Sequence, residues 1–225
     1  MARKSSTLLL SLFVMTLVTG CVEPARAVES PVAEKDVRCL PLGEHRDQVG
    51  CWILGSQPVT APRGGQVYWH IYEFASAELA AQAKVEDAEV IAAYGRIYLM
   101  AVTSRQWTPK GGRHVASLGP MQLVAPVPHT ATFLQTWLIS GMQTRVHMHD
   151  GPEALLILDG QQCVETPDGS DRARSGEQVL IPAKTPMVLH AAEGGRRALA
   201  VIVHPSGQSL GHAHEWQPTG ACNGG

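Results

Sequence analysis

The stretch "RVHMHDGPE", residues 145–153, sets two histidines one residue apart and a glutamate just beyond a Gly-Pro pair. It is either a set of metal ligands or a strand and turn that happen to carry imidazoles. Side chains alternate faces along a strand, so His147 and His149 point the same way and Met148 the other. Two imidazoles turned into a protein interior are costly unless something uses their nitrogens. Glu153 lies past a Gly-Pro corner, where strand parity no longer applies, and its carboxylate can return to the same pocket. Imidazole and carboxylate together suit Fe(II), Mn, Ni or Zn. An H-x-H on a strand is equally the pattern of a polar lining, so the surroundings have to decide.

Around this stretch the chain is written in short strands. From residue 131 onward, "TATFLQTWLI", "TRVHMH", "EALLIL", "QQCVET", "QVLIP", "PMVLHA" and "RALAVIVH" alternate with turn signals. Among these signals, Asp159-Gly160 reads as a two-residue hairpin and Pro167-Asp168-Gly169 as a β-turn. About eight strands at this spacing predict an all-β barrel or jelly roll. Upstream the pattern is mixed. "QVYWHIYEF" and "GRIYLMAVTS" read as strands, and Ser76 is placed to N-cap a helix over "AELAAQAKVEDAEV". Residues 36–128 are therefore expected to be an α+β segment, closed by the Pro-rich "PVPHT" at 126–130.

The spacing around the histidines is more specific than the residue types. Gly141, five residues, His147, one residue, His149, three residues, Glu153, six residues and Gly160 match the first sequence motif of the cupin superfamily at every specified position. The chain resembles that family over residues 131–205, about a third of its length. The resemblance implies a mainly β fold, a C-terminal cupin β-barrel of jelly-roll type over 129–205. It also implies that His147, His149 and Glu153 bind one divalent metal: Fe, Mn, Ni or Zn.

The second family motif is half kept. "GEQVLIPAKTPMVLH" supplies Gly176 and Pro182, but Lys184 stands where the family has glycine and Met187 where a fourth ligand, histidine, is usual. His190, three residues on, faces away from Met187 on a regular strand and reads as structural. Three outcomes follow: a two-histidine, one-carboxylate site with open positions, a Met187 thioether site suited to Cu(I), or a metal-free barrel with Met187 as apolar lining. Elsewhere, His45, His70, Lys110, Lys184, Trp137 and Leu155 read as surface or core residues. "GHAHEW" at 211–216 reads as a tail that exposes His212 and His214, open at most to adventitious metal.

The first residues of the chain are addressed elsewhere than the fold. Arg3 and Lys4 precede the apolar run "TLLLSLFVMTLV", the pattern of a signal peptide over residues 1–20 that is too short for a permanent span. "VTGC" resembles a bacterial lipobox and makes Cys21 the lipidation site, with "ARA" at 25–27 as the rival cleavage site. Residues 21–35 read as a tether. The expected location is thus the periplasmic side of a membrane as a lipoprotein, or a soluble periplasmic or secreted protein. Export leaves Cys39, Cys51, Cys163 and Cys222 as disulfide candidates in an oxidising compartment. Four cysteines allow three pairings. Cys39 with Cys51 is the cheap local bridge, and Cys163 with Cys222 would tie down the tail at 206–225.

With 225 residues, 44% of them hydrophobic, and a formal net charge of −2, the chain can build a sizeable core. It offers no basic stripe for nucleic acid. The expected partner is a small-molecule ligand or substrate, with contact to a membrane only through the lipid anchor and a homodimer left open. Two functions remain: a metal-dependent enzyme acting on a small oxygenated or aromatic substrate, a dioxygenase among the candidates, or a binding or sensing barrel without turnover. The fold does not choose between them.

Overall fold

The structure, a computed structural model, describes residues 39–43, 48–62, 65–85, 87–123 and 127–223. The signal segment, the tether, Cys21 and His45 lie outside the described residues. Strands β1 (Leu40–Pro41), β2 (Gly50–Val59) and β3 (Gln66–Phe74) come first, followed by helix α1 (Ala77–Ala83). Then follow β4 (Ala88–Ala93), β5 (Arg96–Thr103), β6 (Arg113–Gln122) and β7 (His129–Leu138). The remaining strands are β8 (His147–Met148), β9 (Glu153–Thr166), β10 (Gly169–Arg174), β11 (Gln178–Ile181), β12 (Val188–Pro205) and β13 (His212–Ala213). The fold is mainly β.

The main sheet runs β1-β2-β7-β12-β9-β10, with β11 also paired to β9. A second, four-stranded sheet runs β4-β5-β3-β6, and β13 pairs with β8. β2 comes from the stretch expected to be a separate α+β segment, yet it is hydrogen-bonded to β7 of the main sheet from Gly50↔Trp137 to Val59↔His129.

Strand β12 explains why both faces of the main sheet are buried. Its run "RALAVIVH" is almost continuously apolar, as a strand covered on both sides must be. Leu199, Val201 and Val203 point to one face and join Phe133, Leu156, Trp69, Ile71, Met100 and Leu118 in a core between the two sheets. Ala198, Ala200 and Ile202 point to the other and join Leu134, Leu155, Ile157, Val179, Ile181 and Met187 inside the barrel. That inner face carries the site. The outer face of the second sheet is covered by α1 and Trp107 around Tyr72, Phe74 and Leu99.

Four local expectations are corrected. The helix ends at Ala83, and its expected second half begins β4: Ser76 caps the start by accepting from the Leu79 amide, but Ala88 and Ile91 are buried against β5 instead. Asp159-Gly160 is not a hairpin. β9 runs through it as one strand, because β12 pairs along its whole length, and the extra residue Leu158 is absorbed as a bulge. Gly160 has φ 75°, and a Cβ there would collide with the carbonyl of Gly195, so only glycine fits this bend. "PMVLHA" and "RALAVIVH" are likewise one strand, interrupted between Ala191 and Arg196 where Gly194 and Gly195 bulge. "TRVHMH" contributes only His147–Met148 as regular strand.

Candidate metal centre

Although only two residues long, β8 is held on both sides. β13 pairs with it through His212↔Met148 and Ala213↔His147. On the opposite edge His147 and Met187 exchange both backbone hydrogen bonds, at 3.0 and 2.8 Å. Directly opposed residues share a face, so Met187 stands beside His147, where it is 1% exposed within the barrel core. The turn before it depends on Lys184, which donates its amide to the His149 carbonyl (2.7 Å) at φ 60°. That is the left-handed region in which glycine, the family's residue here, sits without strain.

Both imidazoles are oriented by carbonyls. Nδ1 of His147 is 2.8 Å from the Arg145 oxygen, and Nδ1 of His149 is 2.6 Å from the Leu210 oxygen. A carbonyl only accepts, so each Nδ1 carries the proton and each Nε2 presents a lone pair. The rings lie 5.0 Å apart at 76°. Glu153, at the start of β9, places Oε2 3.4 Å from Nε2 of His149, and that buried oxygen receives no hydrogen bond. One ligand atom from each of His147, His149 and Glu153 falls within a common 4.8 Å, and the three side chains are buried. Three buried groups with free lone pairs within this distance fit a divalent metal ion.

The charges in the pocket are mutually adjusted. Burial alone would raise the Glu153 carboxyl, but His149, His147 and Arg196 outweigh it and hold Glu153 below the usual carboxylate value. Burial also depresses His149, yet its contact with Glu153 prevails and raises it. His147 is lowered, by burial and then by the charge of its neighbour His149. At neutral pH the pocket therefore holds an ionised carboxylate, which is what a metal ligand set requires.

Sequence reasoning missed two neighbours. Arg196 is 2% exposed on the same face of β12 as Ala198 and Ala200, and donates to Gln162 and to both oxygens of Thr136. Burial brings its pKa down to about 10, partly offset by Tyr94 and Glu153. His204, farther along that face, sits 3.1 Å from Thr132 Oγ1 and is lowered by burial and by its neighbours His149 and His129. His204 ends the run read as an apolar strand and Arg196 stands just before it, and only the pairing of β12 with β7 and β9 turns them inward.

The other candidates fall elsewhere. His190 is buried beside Glu165 and Cys222, in register with Cys163 of β9. His70 is buried between Ser117 Oγ and the Arg105 carbonyl. Leu155 lines the barrel core, Trp137 is covered by the Arg197 guanidinium at 4.2 Å, and Lys110 is exposed. The tail is only partly exposed: His212, half-buried, donates from Nε2 to the Asp150 carboxylate at 2.9 Å, whereas His214 is exposed. The disulfides are Cys39–Cys51 and Cys163–Cys222. Among the described residues no helix is long and apolar enough to cross a membrane.

Neither a family profile nor a curated protein matches the chain. Solved structures do. A cupin superfamily protein from Desulfitobacterium hafniense is 15% identical over 33% of this chain and 67% of its own, with a TM-score of 0.32. Oxalate decarboxylase from Bacillus subtilis is 19% identical over 38% of this chain and 23% of its own, with a TM-score of 0.33. The DMSP lyase DddQ from Ruegeria pomeroyi is 17% identical over 39% and 45%, with a TM-score of 0.35. The chain thus spans about a quarter of the decarboxylase and under half of the lyase. The similarity is one of fold, to proteins that include a described cupin, the family the motif spacing resembles.

Proposed function

We propose that this chain is an exported cupin-type protein whose His147, His149 and Glu153 hold one divalent metal ion, Fe, Mn, Ni or Zn, that serves a small-molecule enzyme. The observation that carries this is the state of the three ligand atoms. Both imidazole N–H groups are spent on carbonyls, and the buried Glu153 oxygen has no donor, so lone pairs are left free on three groups whose ligand atoms lie within 4.8 Å of one another. With methionine in the fourth position, the protein supplies three ligands and leaves coordination positions for a small ligand. A bound ion would supply Lewis acidity toward an oxygen of that ligand. The chain itself orients both rings and keeps Glu153 ionised.

The second reading, a barrel that binds or senses a small molecule without metal, is favoured by one feature. Met187, fully buried, is an apolar group where the family usually has a ligand. Metal analysis of protein purified without a His-tag decides between them. Near-stoichiometric metal, with oxygen uptake or turnover on a substrate panel, supports the enzyme. Protein that stays metal-free after incubation with each of these ions leaves the binding reading.

Export and anchoring are part of the proposal, supported by two disulfides, which persist in oxidising compartments. Cys21→Ser is expected to abolish fatty-acid labelling and release the protein from membranes. An unlabelled wild-type chain whose mature N-terminus is Val28 would sink the lipobox reading.

A further inference from the structure

The last described stretch of the chain touches the centre at one end and is tied down at the other. Leu210 supplies the carbonyl that holds Nδ1 of His149. The next residue, Gly211, passes so close that a Cβ there would stand 3.0 Å from both Nδ1 and Cε1 of that ring. The chain then pairs with β8 through β13, and the His214 amide donates to the Val146 carbonyl at 3.2 Å. Farther on, Glu165 accepts from the amide and hydroxyl of Thr219 and the amide of Gly220. Cys222 is joined to Cys163 of β9.

We propose that residues 210–222 form a positioning strap for the metal centre. Leu210 selects the tautomer of His149, Gly211 leaves room for its ring, and Glu165 with the Cys163–Cys222 bridge holds the strap at that setting. Without the tether only the short pairing of β13 with β8 and the His214–Val146 bond hold the Leu210 carbonyl in place, and an imidazole that loses that carbonyl takes either tautomer, one of which aims an N–H at the ion. Partners of this kind, lying behind a ligand, are worth about 10- to 100-fold in metal affinity. The inference rests on the metal reading above, but the tautomer it predicts does not require metal.

Two measurements test it on untagged full-length protein: Co(II) titration followed by absorption, and long-range ¹⁵N NMR of the His149 ring in metal-free protein. Wild type and Glu215→Ala, an exposed change on the same strap, should bind Co(II) equally and show His149 protonated on Nδ1. Gly211→Ala and the double variant Cys163→Ala/Cys222→Ala should bind about 10- to 100-fold more weakly and show mixed tautomers. Gly211→Ala keeps both bridges, so it reports even where the double variant melts early. Unchanged affinity and tautomer in both variants overturn the strap. If wild type binds no ion, the metal reading fails separately, and the strap is judged on the tautomer alone: mixed in the variants it stands, unchanged it falls.

Discussion

Two buried clusters in this chain use the same kinds of residue and reach opposite ends. His147, His149 and Glu153 bring their ligand atoms within 4.8 Å of one another, and so do Glu165, His190 and Cys222. In the first, hydrogen bonds are turned away from the centre, onto the Arg145 and Leu210 carbonyls, and the lone pairs stay free. In the second, the Glu165 carboxylate is filled by amides of the tail, and Cys222 is consumed in a disulfide. The buried Nε2 of His190 is left without a partner there. Closeness of histidine, carboxylate and sulfur therefore does not make a metal site. The two clusters differ in which lone pairs remain unspent: the first keeps the free donors that a metal site needs, and the second is a clamp.

The largest expected effect separates the clusters outright. His147→Ala or Glu153→Ala should lose most of the bound metal, since a two-ligand remnant holds an ion poorly, while His190→Ala should keep the wild-type content. Elemental analysis of the three variants reads this, and metal lost in His190→Ala would erase the distinction.

The clamp should show itself as stability. Hydrogen bonds to a charged group contribute about 1.5–3 kcal/mol each, so Glu165→Ala should cost at least about 2 kcal/mol in urea denaturation at pH 7. Burial would raise the Glu165 carboxyl, but the Thr219 and Cys222 donors hold it below the ordinary value. A depressed carboxyl contributes stability above its unfolded pKa of about 4.3 and loses it as pH falls toward the folded value. Glu165→Gln should remove that part of the acid dependence. A Glu165 variant as stable as wild type would mean that the tail is not clamped there.

The open set should respond to pH in its own way. His149 is held above its ordinary value, so protons compete with metal for its Nε2. As pH falls through that raised range, affinity should drop about tenfold per unit, and His190→Ala should leave the profile unmoved. A flat profile between pH 8 and 5 would mean that His149 is not a ligand.

Met187 should give the smallest effect. Met187→Leu, close in volume, should cost less than about 1.5 kcal/mol and leave Zn or Fe(II) binding unchanged. It would abolish Cu(I) binding if the thioether is a ligand. Met187→His should tighten Zn, because the residue opposes His147 on one face. No change in affinity or spectrum would mean that Met187 does not look toward the ion.

The open cluster was legible in the sequence because its three members lie within seven residues and their spacing is fixed by one short strand and one corner. The clamp was not, since Glu165 and the tail are more than fifty residues apart and nothing local marks their meeting. Asp159-Gly160 misled for a related reason. Its turn propensity is local, whereas pairing with β12 along all of β9 is a tertiary gain that turns the glycine into a bulge. The helix was drawn too long because alanine and glutamate favour helix locally, while burial of Ala88 and Ile91 beside β5 decided the outcome. Gly211 carried no signal at all, because its reason is the ring of His149 pressed against it.

The central claim concerns where an ion sits, and anomalous diffraction tests it most directly. Crystals of untagged protein reconstituted with Zn or Mn should show one strong anomalous peak at that metal's edge, within ligand distance of His147 Nε2, His149 Nε2 and a Glu153 oxygen. Absence of a peak there, or a peak beside Glu165 and His190 instead, would contradict the account.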